Sequence, residues 1–422
     1  MLTIEQQPKK RFPEFDYQLK LYDFENLYEF KTTNSFSRDL LNYESGVVKN
    51  IHYGDIHKKF SALFDMTNEE VPYINADVNL SKIKDEQFLS NGDLVIADAS
   101  EDYKDIGKTI EIISLGDKKV IAGLHTFLAR RTTDLNVIGY MTYLLQTWFV
   151  RKQIMRIAQG TKVLSLSTSR LAKTKLILPE IQEQQKISGF FSAIDKKIRL
   201  LKEKHTLLDQ YKKGVLQKLF LQKSRFKDDN GNDFPNWKTE RIDYFVERAS
   251  EPVDVQSDKV YREIGVRSHG KGIFHKKEIK GHELGSKRVF WLHPDAFVVN
   301  IVFAWEHAVA KTSDRESGFI ASHRFPMFIP RENRVDLRFF TIFFLSKKGK
   351  HLLGLASPGG AGRNKTLGQS NFAELNVKFP TLKEQIRIAD FYEVLDKKAK
   401  IVAEQIKQTQ SFKKGLLQQM FV

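Results

Sequence analysis

The sequence predicts two globular domains of α/β (α+β) class that alternate with two long coiled-coil helices. Three observations carry this reading. The chain has 422 residues, enough for two or three domains at about 150 residues each. Displaced by 201 positions, residues 179–220 align with 380–421 without a gap, and 15 of the 42 pairs are identical. Ordinary residue usage would give about two or three, so the chain contains an internal repeat. Within both copies the apolar residues recur at alternating intervals of four and three, the spacing that holds one seam of a helix against a partner.

In chain order, residues 1–178 form the first globular domain and 179–222 the first long helix. Residues 223–379 form the second globular domain and 380–422 the second helix. The seam of the first helix is Ile187, Phe191, Ile194, Ile198, Leu201, Leu208, Val215 and Leu219. That of the second is Ile388, Tyr392, Leu395, Ala399, Val402, Ile406, Leu416 and Met420. Pro179 and Pro380 stand just before each helix, where a missing N–H costs nothing. The polar seam positions His205, Lys212, Thr409 and Lys413 favour pairing of the two helices with each other.

The globular domains are related more loosely. Phe12-Pro13-Glu14-Phe15 resembles Phe234-Pro235-Asn236-Trp237. Asp93-Leu94-Val95-Ile96 resembles Asp295-Ala296-Phe297-Val298, and both read as short buried strands after a turn. Residues 140–157 and 337–355 read as helices, and 224–233 as a polar, turn-rich linker.

Composition narrows the function. Lys and Arg outnumber Asp and Glu by 68 to 52, a net charge of +16 that points to a polyanionic partner such as nucleic acid. The absence of cysteine removes disulfides, thiol nucleophiles and Cys-ligated metals. Residues 1–15 are polar, without the apolar run of a signal peptide. The longest apolar stretch, 137–150, is short for a membrane span and contains Gln146. A cytoplasmic protein with no membrane contact is expected.

No catalytic constellation stands out. Residues 359–366 approach the phosphate-cradling pattern Gly-x-x-x-x-Gly-Lys-Ser/Thr, but Asn364 occupies the place of the second glycine. His282-Glu283 opens the zinc pattern His-Glu-x-x-His, and Ser286 breaks it. Glu278-Ile279-Lys280 has a nuclease-like Glu-x-Lys form, and so does Glu29-Phe30-Lys31. Methyltransferase and nicotinamide-binding motifs are absent. The remaining candidates are polar, basic loops whose side chains suit phosphates and base edges. They are Arg130, Arg131, Thr161 and Lys162 in the first domain, and Arg267, His269, Lys271, His275, Lys276, Arg363, Asn364 and Lys365 in the second. Arg and Asn are the side chains that bond guanine and adenine edges at two points.

The duplicated Pro-…-Glu-Gln-…-Ile segments (Pro179, Glu183, Gln184, Ile187; Pro380, Glu384, Gln385, Ile388) resemble the DNA-specificity subunits of type I restriction–modification systems. The Lys-Lys-Gly-x-Leu-Gln-x-x-Phe endings at 212–220 and 413–421, and the Phe-Pro openings, add to this resemblance. It implies two target-recognition domains with approximate two-fold symmetry, held by an antiparallel helix pair. Each domain would read one half of a bipartite, asymmetric double-stranded DNA site, and the helices would set the gap. It also implies two methyltransferase subunits that bring S-adenosylmethionine and methylate adenine, and restriction subunits that translocate DNA with ATP and Mg. No cofactor or metal is then expected on this chain, which is no enzyme itself.

Two other readings stand beside it. One is a stand-alone DNA- or RNA-binding regulator that dimerises through its helices. The other is a diverged nuclease using Glu278 and Lys280. Charge distribution sharpens the expected DNA face: residues 1–120 carry −7, 121–178 carry +8 and 223–379 carry +8. The acidic stretch 93–105 is expected to meet a protein partner or to face away from DNA.

Overall fold

The computed structural model describes residues 7–359 and 365–421. The chain divides into two compact units. Unit 1 comprises Met1–Lys202 with Glu404–Val422, and unit 2 comprises Glu203–Ala403. Each unit therefore contains one globular part, the beginning of one long helix and the end of the other.

Unit 1 contains a five-stranded sheet in the order Tyr28–Lys31, Thr126–Arg131, Leu94–Ala97, Thr109–Ser114, Leu63–Asp65. Its neighbours are antiparallel except for the last pair. A second sheet orders Lys119–Ala122, Val48–Ile51, Tyr73–Ile74 and Leu41–Asn42, with the first two strands parallel. Leu94–Ala97 is buried along its whole length, as a strand with apolar side chains on both faces must be.

Unit 2 repeats the plan. Val246–Ala249, Met327–Pro330, Phe297–Val299 and Val309–Lys311 form one sheet. Ile273–Lys280, Val260–Val266, Ile320–Ser322 and Val289–Trp291 form the other. Its main core is aromatic: Phe297, Phe339, Phe340, Phe343, Phe344 and Phe372 are all fully buried. Phe343 meets Phe379 edge-on at 4.8 Å, the arrangement that the ring quadrupoles favour.

The two expected helices each break once. In unit 1 they run Met141–Leu144 and Trp148–Ile157, and in unit 2 Leu337–Phe344 and Lys347–Leu355. A hydroxyl residue sits at each break. Ser346 Oγ accepts from Gly349 N, while Thr147 Oγ1 donates back to Leu144 O.

Both globular parts end in the same way. Lys20–Asp23 pairs antiparallel with Lys175–Leu178, and Lys238–Arg241 pairs antiparallel with Asn376–Phe379. A proline then follows, and the long helix begins. The helices are Ile181–Phe220 (40 residues) and Leu382–Met420 (39 residues), each about 60 Å at 1.5 Å per residue.

Within each unit the helix segments run antiparallel. In unit 1, Phe191 lies 6.0 Å from Phe421, and Lys413 reaches Asp195. In unit 2, Lys212 reaches Asp396 and lies 5.3 Å from the Tyr392 ring. Ile187, Phe191, Ile198, Leu219, Ile388, Leu395, Ala399, Val402, Leu416 and Met420 are buried. Ile194, Leu201, Leu208, Val215, Tyr392 and Ile406 are half-buried. Each large apolar side chain buried this way contributes about 1.5–3 kcal/mol.

One sequence equivalence is corrected. Phe12 packs on Phe190 at 6.0 Å, and its structural twin is Phe226, which packs on Phe391 at 5.3 Å. Phe12-Pro13 therefore does not correspond to Phe234-Pro235. The polar turn after Phe226, closed by Asp228 Oδ1 accepting from Asn230 N and Asn232 N, displaces the second Phe-Pro along the chain. Arg225 and Phe226, expected in a linker, are anchors.

Candidate nucleic-acid interface

The most repeated residues of the sequence form the joint that fixes each globular part on its helix. In unit 1, Arg11 forks onto the buried Glu183 carboxylate with bonds of 2.7 and 2.6 Å. Gln184, also buried, accepts from Val137 N and donates to Leu135 O and Pro179 O. In unit 2, Arg225 forks onto Glu384 at 3.1 and 2.6 Å, joined by Trp237 Nε1 at 3.2 Å. Gln385 accepts from Asp336 N and donates to Arg334 O and Pro380 O. In both units the buried Glu binds an arginine fork and the buried Gln satisfies corresponding backbone groups, which explains why that dipeptide recurs.

The expected DNA-contacting residues fall into three groups. The first serves the interior. Arg130 donates to buried Asp93 at 2.7 Å and to Phe88 O at 2.7 Å. Arg131 donates to Asn136 O and Asp134. Burial pushes the Asp93 carboxyl up, against the opposing pull of Ser90 N–H and Arg130. The guanidinium groups of both arginines, candidates for DNA contact, close loops of unit 1. Asp93 is likewise removed from any partner-facing acidic surface, because it is wholly buried.

The second group is half-engaged. His275 Nε2 lies 2.9 Å from Glu316 Oε1. Burial alone would raise the Glu316 carboxyl, but the bonds from His275 and Ser313 outweigh it and lower it. Lys276 and Lys287 flank buried Glu263 at 3.4 and 3.2 Å. Lys365 lies 6.0 Å from the Trp305 ring. Arg363 and Asn364 lie outside the described residues.

The third group is exposed. Thr161 and Lys162 occupy the loop after Trp148–Ile157, whose ends are tied by the Gln159–Ser165 bridge. Arg267, His269 and Lys271 occupy the loop of the hairpin Val260–Val266 and Ile273–Lys280. That loop is closed by Arg267 N donating to Gly272 O at 3.0 Å. His269 N and Gly270 N donate to Glu306 O and His307 O, pinning it to the turn Ala304–Glu306. His269, Gly270 and Gly272 all have positive φ.

Sequence reasoning missed a cluster on unit 1. Tyr53 lies 5.3 Å from the His125 ring and 4.6 Å from the His52 ring. His125 adopts φ 55° and places Nδ1 3.3 Å from Asp98. Burial, then the Arg38 charge, lowers the His52 imidazole. His125 and Asp98 lie too far along the chain from His52 and Tyr53 for spacing to reveal the cluster.

The enzyme motifs dissolve into local structure. Glu278 pairs with Arg262 across the hairpin, and Glu29 pairs with Lys31 two positions along its strand at 2.8 Å. Glu283 accepts from Lys280 N, and His282 Nδ1 lies 3.1 Å from Ser257 O. Among the described residues, no group of three or more His, Asp or Glu is placed to hold a metal ion. No described helix is long and apolar enough to cross a membrane.

The architecture and the sequence both have relatives. The chain shares 20% identity over 337 residues with the type I restriction enzyme MjaVIII specificity subunit of Methanocaldococcus jannaschii, covering 72% of this chain and 74% of that one. Its fold matches the crystal structure of the S subunit of a type I restriction–modification system from M. genitalium, with TM-score 0.56, 12% identity and 99% of each chain covered. It also matches a chain from a structure describing complex assembly and conformational transition of the type I R-M system. There the TM-score is 0.53 and the identity 12%, over 95% of this chain and 98% of that chain. Residues 26–210 and 296–410 match the family described as the type I restriction modification DNA specificity domain. The chain therefore belongs to the DNA specificity subunits of type I restriction–modification systems, which are non-catalytic recognition subunits.

Proposed function

We propose that unit 1 and unit 2 each read one half of a bipartite, asymmetric DNA site and that the long helices set the gap between the halves. The observation that carries this is the duplicated joint. Arg11–Glu183–Gln184 and Arg225–Glu384–Gln385 attach two different globular surfaces to helices by the same bonds. A repeated mount with two different faces suits one scaffold presenting two different readers. Half-sites roughly one helical turn apart are expected.

The chain would direct adenine methylation by two methyltransferase subunits, which hold S-adenosylmethionine, and cleavage by restriction subunits, which use ATP and Mg. The cytoplasm is the corresponding compartment. Exposed apolar side chains outside the seam occur as repeat-matched pairs, one member in each unit. Leu200 and its repeat mate Ile401 are 49% and 50% exposed, and Tyr211 and Phe412 are 55% and 57% exposed. Equivalent exposed apolar residues in each unit suit two copies of one partner. Modification mapping of DNA from a host expressing the chain with its partners tests the proposal. A methylated motif of two short sequences around an unspecified gap is expected, and a single continuous motif would overturn it.

A further inference from the structure

The two units resemble each other in their sheets but not in what leaves one central strand. Val48–Ile51 lies parallel to Lys119–Ala122, and Val260–Val266 lies parallel to Ile320–Ser322. In unit 1 the chain leaving this strand enters the helix Tyr53–Lys58, several of whose polar groups bond within the unit. His52 Nδ1 accepts from Gly54 N, Asp55 accepts from Arg38, and His57 Nε2 lies 3.1 Å from Ala99 O. In unit 2 the corresponding chain turns straight back as the edge hairpin ending in Ile273–Lys280.

This hairpin is stiff at its base and chemically unsatisfied at its tip. A Cβ at Gly265 would lie 2.3 Å from the Phe274 ring, so only glycine lets the ring lie across the strand. Arg267 stacks on the other end of that contact, with its guanidinium 4.8 Å from the Phe274 centroid. The two bonds to Glu306 O and His307 O hold the loop, and a Cβ at Gly270 would meet Leu345 at 2.7 Å. Three carboxylates of this region are taken: Glu263 by Lys276 and Lys287, Glu278 by Arg262, and Glu316 by His275. The side chains of Arg267, His269, Lys271 and Lys277 are exposed, and none makes a hydrogen bond or ion pair with a described residue.

We propose that the hairpin of unit 2 enters the major groove of double-stranded DNA and reads base edges in one half-site through Arg267, His269 and Lys271, while Lys277 holds phosphate. The inference rests on the reading of the chain as a DNA-specificity subunit. A two-stranded ribbon fits the roughly 12 Å width of the major groove, and Arg and Lys each suit the two acceptors of guanine. Backbone anchoring matters because a reader must hold its donors in place before binding. Unit 1, with a helix at the same position, reads its half by a different element.

The test is selection of bound sites from a random double-stranded DNA library by the chain in complex with its methyltransferase subunits. Arg267→Ala and Lys271→Ala are each expected to flatten preference about 10-fold at one or two positions of one half. The other half and the gap stay unchanged, which also reports that the variant is folded. Lys277→Ala is expected to weaken binding to all sequences alike and to reduce its salt dependence. Unchanged preferences in both halves, or equal loss in both, would overturn the hairpin proposal. Failure of the wild-type complex to select any bipartite site would overturn the underlying reading with it.

Discussion

Lys413 Nζ donates to both carboxylate oxygens of Asp195, at 2.6 and 2.8 Å, and the Tyr143 hydroxyl donates to the same group at 2.9 Å. The bond ties the end of the second helix to the beginning of the first inside unit 1. Its repeat mate, Lys212 to Asp396 at 2.8 Å, does the same in unit 2. A polar pair in an apolar seam fixes register, because a helix that slips strands both charges.

Lys413→Met should therefore destabilise unit 1 by about 1–3 kcal/mol, since it leaves a partly buried carboxylate with fewer donors. Urea unfolding measures this. The exchanged pair Asp195→Lys with Lys413→Asp is expected to recover part of the loss, and no recovery would argue against a direct pairwise bond.

Gln184→Ala should cost about 1–3 kcal/mol, because it orphans Val137 N together with the carbonyls of Leu135 and Pro179. Gln385→Ala should cost a similar amount through Asp336 N, Arg334 O and Pro380 O. Comparable effects in denaturant melts check the equivalence of the joints, and a loss confined to one would contradict it.

Glu111 gives the fold a pH dependence. Its carboxyl is fully buried and accepts from Gly139 N at 2.7 Å and Thr142 N at 2.9 Å. Burial outweighs these bonds and pushes its pKa up to about 7. The folded protein thus binds a proton more tightly than the unfolded chain. Stability should be full below the ordinary value of 4.5, fall as pH rises towards 7, and level off above it. The total loss is about 3 kcal/mol. Unfolding midpoints measured from pH 4 to 9 check the slope, which Glu111→Gln should flatten.

The exposed repeat mates Phe412 of unit 1 and Tyr211 of unit 2 make a stoichiometric prediction. Phe412→Glu alone should weaken one of two methyltransferase contacts, and Phe412→Glu with Tyr211→Glu should weaken both. Native mass spectrometry of the reconstituted complex counts the bound subunits. Retention of two subunits by the double variant would place the interface elsewhere.

The helices were legible because their signal is local and repeated: Ile187, Phe191, Ile194 and Ile198 announce a seam without knowledge of any partner. The buried strands after Asp93 and Asp295 were legible from their apolar runs. Pairing was not. Arg130 looked like a free cation because its partners, Asp93 and Phe88, lie about forty positions away across a sheet whose order no local pattern encodes. Phe226 was hidden for another reason, because an inserted polar turn shifted the more conspicuous Phe-Pro. The hairpin loop reads as polar and basic in sequence. Its stiffness comes from Glu306, His307 and Phe274, which sequence spacing does not place beside it.

The central claim is that each unit reads its half-site independently on a common mount. The most direct measurement is modification mapping after the globular part of unit 2, residues 238–379, is exchanged for that of a relative with a different target. The account expects one half of the methylated motif to change, with the other half and the gap unchanged. A change in both halves, or in the gap alone, would contradict it.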